Sequence, residues 1–193
     1  MLAAIPLKAF DLAKERLDPA LSPDERSALA KGVATRVARA CTQAGLRTAV
    51  VTGDDAVAAW ATELGLEVIA DPGGGLDAAA SAVIGAADGS WVVVHGDLPL
   101  LTAESMRTVS LGVAERHLVL APSRDGGTKL VAGSGSFEFA YGPGSFARHL
   151  GRAAHRNPLV MIGAATAVEI DTPSDLEAAR SHRDGAWLAT FLS

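Results

Sequence analysis

The sequence predicts a single-domain α/β protein with a Rossmann-like, mostly parallel sheet that helices cover on both faces. Short continuous apolar segments alternate with segments that carry helix start and stop signals, which is typical of strands buried on both faces. The composition agrees, because 49% of the 193 residues are hydrophobic and only 5% are aromatic. Such a core favours helix–sheet packing over an aromatic-rich β-sandwich.

The first half of the chain has well-marked elements. Its longest predicted helix has a full set of end signals: Ser22 as cap, Pro23 in the first turn, Glu25 three residues after the cap and Gly45 as stop. The predicted strands are "LAAIP", "LRTAVVTG", "LEVIAD", "WVVVHGD" and "HLVLAPS". The predicted helices are "LSPDERSALAKGVATRVARACTQAG", "DDAVAAWATELG", "LDAAASAVIGAAD" and "TAESMRTVSLGVAE".

After residue 122 the pattern changes. The glycine-rich segment "KLVAGSGSFEFAYGPG" predicts an inserted β-hairpin lobe at about 123–145. A helix follows in "SFARHLGRAAHR". After it come one or two strands in "LVMIGAATAVEID" and a helix that Thr172 caps. One domain over 1–182 and a tail over 183–193 without evident chemistry are therefore expected.

Composition also limits the classes of partner. A formal net charge of −5 argues against a general nucleic-acid binder. Cys41 is the single cysteine of the sequence, so no internal disulfide can form. The start "MLAAIPLKAF" lacks the apolar stretch of a signal peptide, and no segment approaches the ~20 apolar residues of a membrane span. We expect a cytoplasmic protein without a membrane partner.

Three carboxylates are candidate metal ligands. Asp97 follows the most apolar strand, and Glu169 and Asp171, two residues apart on a predicted strand, share one face. Ligands of open α/β sheets bind beyond the carboxyl ends of the strands. Oxygen ligands suit Mg²⁺ that also holds substrate phosphates. The alternative for each acid is a cap or turn residue, which fits Asp97 less well because Thr102 can cap the next helix.

Basic and glycine-rich loops are candidate nucleotide contacts. Lys8, Lys14 and Arg16 follow the first strand, where nucleotide-binding α/β folds place their phosphate loop; the alternative is a solvated surface. In "PGGGLDAAAS", the amides of Gly74 and Gly75 at a helix start can hold an anion or meet a base edge. The alternative there is a flexible turn. Asp77 would then be favourably placed near the helix N-terminus.

The predicted lobe offers candidates for a small carboxylate or phosphate. Thr128 and Ser145 supply hydroxyls, and Gly142 lets the backbone approach a ligand closely. The alternative is hairpin turn chemistry. Because strand residues alternate between faces, Lys129 is expected to point outward if Thr128 points inward, and Lys129→Asn is then expected to change little.

Seven segments together resemble one family. "IPLKAFDLAKERLDPALSPDERSALA", "VVTGD", "ADPGGGLDAA", "GDLPLLT", "PSRDGGT", "YGPGSFARH" and "EIDTPSDLEAA" occur in the order of the CofC/FbiD guanylyltransferases of coenzyme F420 biosynthesis, within the MobA-like nucleotidyltransferases. The resemblance covers about residues 4–180. "GDLPL" is shared widely, whereas the proline-lysine start, "DGGT" and "GPGSFARH" are more specific.

The resemblance implies a nucleotidyltransferase fold and a reaction. GTP and phosphoenolpyruvate, or 2-phospho-L-lactate, would give a guanosine diphospho-acid and pyrophosphate with Mg²⁺, and the product would pass to the next transferase of the pathway. Asp97, with Glu169 and Asp171, would bind metal. Lys8, Lys14 and Arg16 would face the triphosphate, with Lys8 and Asp97 as catalytic residues. Thr128, Gly142 and Ser145 would hold the phospho-acid. Two positions depart from the family pattern: Glu169 replaces Asp and Lys129 replaces Asn.

Two other functions stay open. One is a nucleotidyltransferase with another acceptor, such as a phosphoglycerate, a sugar phosphate or molybdopterin, although the glycine-rich, arginine-containing first loop of those relatives is absent. The other is a GTP-binding domain of the same fold without catalysis. A nicotinamide-dependent oxidoreductase is disfavoured, because no G-x-G-x-x-G follows the first strand.

Overall fold

The computed structural model describes residues 1–12, 14–18, 20–115 and 117–191. Its described strands form one sheet in the order β3-β2-β1-β4-β6-β5-β7, in which β6 runs antiparallel to its neighbours and the other pairs are parallel. This confirms the predicted mostly parallel α/β architecture. The strands are β1 (Leu2–Pro6), β2 (Arg47–Thr52), β3 (Glu67–Ala70), β4 (Ser90–Val94), β5 (Val119–Pro122), β6 (Thr128–Ser134) and β7 (Leu159–Val160).

Apart from α6, which lies where strands were expected, the α-helices begin where the sequence predicts. Ser22 and Glu25 form a capping box at α1, and the Thr102 hydroxyl accepts the amide of Ser105 at α4. Two short 3-10 helices, Phe10–Leu12 and Glu15–Leu17, occupy the loop after β1. The helices are α1 (Pro23–Gln43), α2 (Asp55–Glu63), α3 (Leu76–Ala86), α4 (Ala103–Ala114), α5 (Ser145–Ala153), α6 (Ala164–Ala167) and α7 (Pro173–Ser181).

Both faces of the sheet are covered, as predicted. Side chains of α1, α2 and α4 pack on one face, and those of α3 and α5 pack on the other. Cys41 and Trp60 belong to the first of these two clusters, so both are core residues. Burial raises the pKa of the Cys41 thiol to about 12, which leaves it protonated and unreactive at neutral pH.

The predicted inserted lobe is part of the main sheet. β5 and β6 form an antiparallel hairpin, but β6 lies between β4 and β5 rather than outside the core. The reason is that Leu130 and Val131 are buried on opposite faces. After β6, residues 135–144 are irregular, and Phe137 and Phe139 pack against Trp91.

The segment before α7 differs from the strand expected there. Val168–Asp171 has no strand geometry and follows the short helix α6, so the prediction that Glu169 and Asp171 lie on one strand is wrong. Their carboxylates nevertheless come together, as described below. Thr172 and Asp175 form a capping box that fixes the chain directly after Asp171.

The predicted tail packs against the domain. Arg183–Phe191 forms a 3-10 helix, Leu188 is fully buried with side chains of α1 and α7, and the Trp187 indole N–H donates to the carbonyl of Pro99 at 3.1 Å. Residues 192–193 of the predicted tail lie outside the described part. Among the described helices, none is both long enough and apolar enough to cross a membrane.

Leu188→Ala tests whether the tail stabilises the domain. Because Leu188 is fully buried, we expect a loss of about 2–5 kcal/mol in the free energy of unfolding, measured by urea denaturation. Leu111→Ala is the control, because Leu111 is 65% exposed on α4, and it should change stability by less than about 1 kcal/mol. Equal losses in both variants would contradict the packing described.

Candidate functional site

The main cavity lies at the edge of the sheet where β1 and β4 end. It has a volume of about 440 Å³, and the loop after β1, the start of α3 and the turn after β4 line it. This is where ligands of open α/β sheets bind. Its polar lining includes Lys8, Lys14, Gly75, His95, Asp97 and Asp171.

A tight turn positions Asp97. Gly96 packs so closely on the loop after β1 that a Cβ there would lie 2.4 Å from Leu7 Cδ2, so a side chain at this position needs a rearrangement. Leu98 and Leu100 are buried and anchor the far side of the turn. Since Thr102 caps α4, the Asp97 carboxylate is free of the capping role considered for it.

Asp97, Glu169 and Asp171 form one acidic cluster whose facing oxygens lie within 4.8 Å of one another. Two lysines bridge the cluster. Lys129 Nζ lies 2.9 Å from Asp97 Oδ2 and pairs with Glu169. Lys14 Nζ lies 3.1 Å from Asp171 Oδ1 and 3.9 Å from Asp97 Oδ2. The structure thus brings the predicted acids together.

Electrostatics make Asp97 more acidic than Glu169. Burial opposes its ionisation, but Lys129 and Lys14 outweigh burial and hold the pKa of Asp97 well below its usual value. Burial also opposes the charge on Lys129, yet Asp97 and Glu169 raise its pKa. Burial raises the pKa of Glu169, which Lys129 offsets only in part. Glu169 is therefore easier to protonate than Asp97.

The donor set fits a hard divalent cation. All three acids offer carboxylate oxygens, which Mg²⁺ prefers. Asp97 Oδ1 is buried and has no hydrogen-bond partner among the described residues, so it is an acceptor that a bound cation would satisfy. The three residues predicted as metal ligands can thus serve together.

Two of the three basic residues predicted to bind the nucleotide, all in the loop after β1, line the cavity. Lys8 is exposed and lines the cavity. Lys14 has a left-handed backbone with φ of 63°, which costs a residue with a Cβ about 1–2 kcal/mol, and its ion pairs hold it there. Arg16 is exposed and does not line the cavity.

The glycine loop before α3 also reaches the cavity. Gly73, Gly74 and Gly75 all have positive φ, and Gly75 lines the cavity whereas Gly74 does not. Asp77 has a contact of its own, because its Oδ1 accepts the amide of Tyr141 at 2.7 Å. This bond joins α3 to the loop before α5.

Two of the residues predicted to hold the phospho-acid contact each other. The Ser145 hydroxyl donates to Thr128 Oγ1 at 3.2 Å, and both residues are buried. Gly142 is exposed nearby with φ of 106°. None of the three lines the main cavity. Thr128 and Ser145 form a neighbouring group, and Gly142 belongs to the loop of residues 135–144 that leads into it.

His149 organises this group and was missed at the sequence level. Its Nε2 accepts the amide of Ala140 at 2.8 Å, so in the neutral ring Nδ1 carries the proton and donates to Thr128 Oγ1 at 2.9 Å. Because Thr128 Oγ1 accepts from both His149 and Ser145, its own hydrogen remains for another acceptor. The signal in the sequence was that His149 lies four residues after Ser145, which places both side chains on one face of a helix.

The structure contradicts the expectation that Lys129 points outward. Lys129 is 7% exposed and its ammonium lies among the acids. Turning to the opposite face would not expose Lys129 in any case, because β6 is internal to the sheet and both of its faces are covered. The expectation that Lys129→Asn changes little is therefore wrong in its premise. The two departures noted in the sequence, Glu169 and Lys129, are direct partners.

Over its whole length, residues 1–193, the chain matches the protein family described as "Guanylyl transferase CofC like". The chain belongs to this family. A similar relative, the phosphoenolpyruvate guanylyltransferase of Sphaerobacter thermophilus, is 35% identical over 94% of this chain and 93% of its own. The 2-phospho-L-lactate guanylyltransferase of Methanothermobacter thermautotrophicus is 27% identical over 98% of this chain and 88% of its own.

Solved structures agree on the fold of this CofC-like chain. A nucleotidyl transferase from Methanothermobacter thermautotrophicus covers 94% of this chain and 97% of its own, with a TM-score of 0.60 and 18% identity. Molybdopterin-guanine dinucleotide biosynthesis protein A from Archaeoglobus fulgidus covers 98% and 100%, with a TM-score of 0.56 and 16% identity. The CofC-like chain therefore has a nucleotidyltransferase fold.

The buried imidazole of His149 predicts a pH dependence of stability. Burial lowers the pKa of His149 to about 4, from an ordinary value of 6.5. Between these pH values the unfolded chain binds a proton that the folded chain does not. The contribution of His149 to the free energy of unfolding is therefore fully present above about pH 6.5 and is lost as the pH falls to about 4. The stability advantage of the wild type over His149→Gln should shrink by at most about 3 kcal/mol across this range.

Urea denaturation from pH 7 down to about pH 4 measures this advantage. His155→Gln is the control, because His155 is exposed on the segment that follows the same helix. A constant difference between the wild type and His149→Gln across the range would argue against a neutral buried His149.

Proposed function

We propose that this enzyme transfers the guanylyl group of GTP to the phosphate of phosphoenolpyruvate or 2-phospho-L-lactate and releases pyrophosphate, in coenzyme F420 biosynthesis. The observation that carries the proposal is the cluster of Asp97, Glu169 and Asp171 beside a cavity of about 440 Å³. Membership of the CofC-like family supports it, as do two curated relatives whose names specify these two acceptors. The product would pass to the transferase that consumes it.

The nucleotide would occupy the main cavity. Lys8 lies at its exposed side and Lys14 at its acidic side, so a triphosphate between them would meet two cations. The amide of Gly75, at the start of α3, is available to an anion or a base edge. Gly74, Asp77 and Arg16 remain proposed nucleotide contacts, although none of the three lines the cavity.

The acceptor acid would lie between the acidic cluster and the buried hydroxyl group of Thr128 and Ser145. The Thr128 hydroxyl still has a hydrogen to donate, and Gly142 leaves its backbone open to a ligand. His95 lies at the cavity wall, where its ring packs at 5.5 Å from that of Tyr141. Burial lowers the pKa of His95 to about 4, so it adds no charge at neutral pH.

The main obstacle to the reaction is the repulsion between two anions, and no strong general base is needed. The attacking oxygen belongs to the phosphate group of the acceptor acid. This group is already largely dianionic at neutral pH, because its second pKa is ~6. The attacking oxygen forms a bond to the α-phosphorus of GTP as the bond to the pyrophosphate oxygen breaks. Bound Mg²⁺ would supply positive charge to both anions, with Asp97, Glu169 and Asp171 as its ligands. Lys8 and Lys14 would hold the triphosphate in line.

A panel assay tests the proposal. The purified chain, GTP and Mg²⁺ are mixed separately with phosphoenolpyruvate, 2-phospho-L-lactate and 2- and 3-phosphoglycerate, and pyrophosphate release is measured. We expect release with one of the first two acids and much slower release when ATP replaces GTP. Release only with a phosphoglycerate would assign another acceptor. Binding of GTP without pyrophosphate release in any mixture would indicate a non-catalytic nucleotide-binding protein.

Asp97→Asn tests the proposed metal site. Losing the charge of a central ligand should lower kcat/KM by about 10²–10³-fold, an effect typical of removing one electrostatic group from an active site. Asp88→Asn is the control, because the Asp88 side chain is 91% exposed. Its activity should equal that of the wild type. Steady-state pyrophosphate release measures both, and near-wild-type turnover of Asp97→Asn at limiting Mg²⁺ would refute a ligand role.

A further inference from the structure

Lys129 occupies an irregular position in the sheet. In the β5–β6 pair, Ala121 lies opposite Leu130 and Pro122 lies opposite Thr128, so Lys129 is one extra residue without a partner on β5. Its carbonyl instead accepts the amide of His95 at 3.0 Å, beyond the end of β4. Bulges of this kind redirect a side chain and are frequent beside active sites.

The bulge reverses the faces of β6 at its first residues. Leu130 packs with the helices α1, α2 and α4, whereas Val131 packs on the opposite face. Strict alternation would place Thr128 on the face of Leu130, yet Thr128 contacts His149 of α5 on the other face. Lys129, between them, is directed to the acids of the sheet edge.

The ammonium of Lys129 is buried between two carboxylates. It lies 2.9 Å from Asp97 Oδ2 and pairs with Glu169 Oε2, and only 9% of the side chain is exposed. Lys14 balances Asp171 in the same way from the other side. Three carboxylates thus meet two fixed ammonium groups, which leaves a formal charge of −1 and one unpaired buried oxygen, Asp97 Oδ1.

We propose that Lys129 is a resident cation that takes the place of a second divalent ion between Asp97 and Glu169, so that this site binds a single divalent cation with the nucleotide. The inference rests on the proposed function, because it concerns the charge that a guanylyl transfer needs. It makes Lys129 a determinant of the metal requirement. One ion bound through other carboxylate oxygens of the cluster, Asp97 Oδ1 among them, suits a charge of −1. The ammonium that already pairs with Asp97 Oδ2 and Glu169 Oε2 excludes a second ion from between these two oxygens by repulsion and by space.

The test counts bound ions directly. Mn²⁺ is titrated into the full-length chain in the presence of a GTP analogue whose α,β-bridging oxygen is replaced by methylene, and the electron paramagnetic resonance signal of free Mn²⁺ is recorded. A titration of the analogue without protein is subtracted. We expect one bound Mn²⁺ per wild-type chain and two per chain in Lys129→Asn and in Lys129→Gln. Lys31→Asn is the matched control, because Lys31 is exposed on α1, and it should bind one ion.

The outcomes separate the inference from the proposed function. Equal numbers of ions in the wild type and the neutral Lys129 variants overturn the inference, as do two ions in the wild type. Removing one partner of a buried ion pair is destabilising, so each variant is checked by thermal unfolding in Mn²⁺. If both neutral variants unfold, the wild type and Lys129→Arg decide: one ion in each supports the inference and two ions overturn it. Pyrophosphate release in the panel assay tests the proposed function independently of this count.

Discussion

The site depends on the balance of charge around Asp97. Three carboxylates that face one another at a largely buried edge would repel, and each would lose hydration, unless positive charge lay among them. Lys14 and Lys129 supply that charge from two different segments. The ion pairs therefore join four stretches of chain: the loop after β1, the turn after β4, the start of β6 and the segment before α7. The same charges that hold these stretches together prepare the cavity for an anion.

The sheet supplies the positions that these ion pairs need. β1 and β4 are adjacent and parallel, so their carboxyl ends bring Lys14 and Asp97 to one edge. β6 runs antiparallel beside β4, and its amino end therefore reaches that same edge with Thr128 and Lys129. A parallel strand in this place would have put its amino end at the opposite edge. The single antiparallel member among the described strands is thus what lets the hairpin contribute to the site.

The sequence predicted the fold and the acidic cluster for physical reasons that are local. Capping residues such as Ser22, Thr102 and Thr172 determine where helices begin, and these signals act within four residues. Asp97 was identifiable because a charge directly after a fully apolar strand must lie at a sheet edge. The acids at 169 and 171 were also identified, although the strand assumed for them is absent.

What the sequence did not predict depends on contacts between distant segments. The hairpin was assigned to an inserted lobe because its segment is rich in glycine, whereas burial on both faces can be seen only once β4 and β5 flank it. His149 acquires its role from Thr128 and Ala140, which approach it only in the folded chain. The direction of Lys129 depends on a bulge, and no residue type marks a bulge at this position.

The bulge at Lys129 also couples two properties that neighbouring residues would otherwise set separately. Thr128 contacts Ser145 and His149 of α5, and Lys129 contacts the acidic cluster. A single extra residue in β6 therefore sets both orientations. Deleting one residue here would restore regular pairing, turn Thr128 towards the face of Leu130 and withdraw it from His149. The residue count of the β5–β6 hairpin is therefore constrained separately from its composition. A substitution at Thr128 or at Lys129 changes one set of contacts, whereas a change in the number of residues alters the contacts of Thr128 with α5 and those of Lys129 with the acidic cluster together.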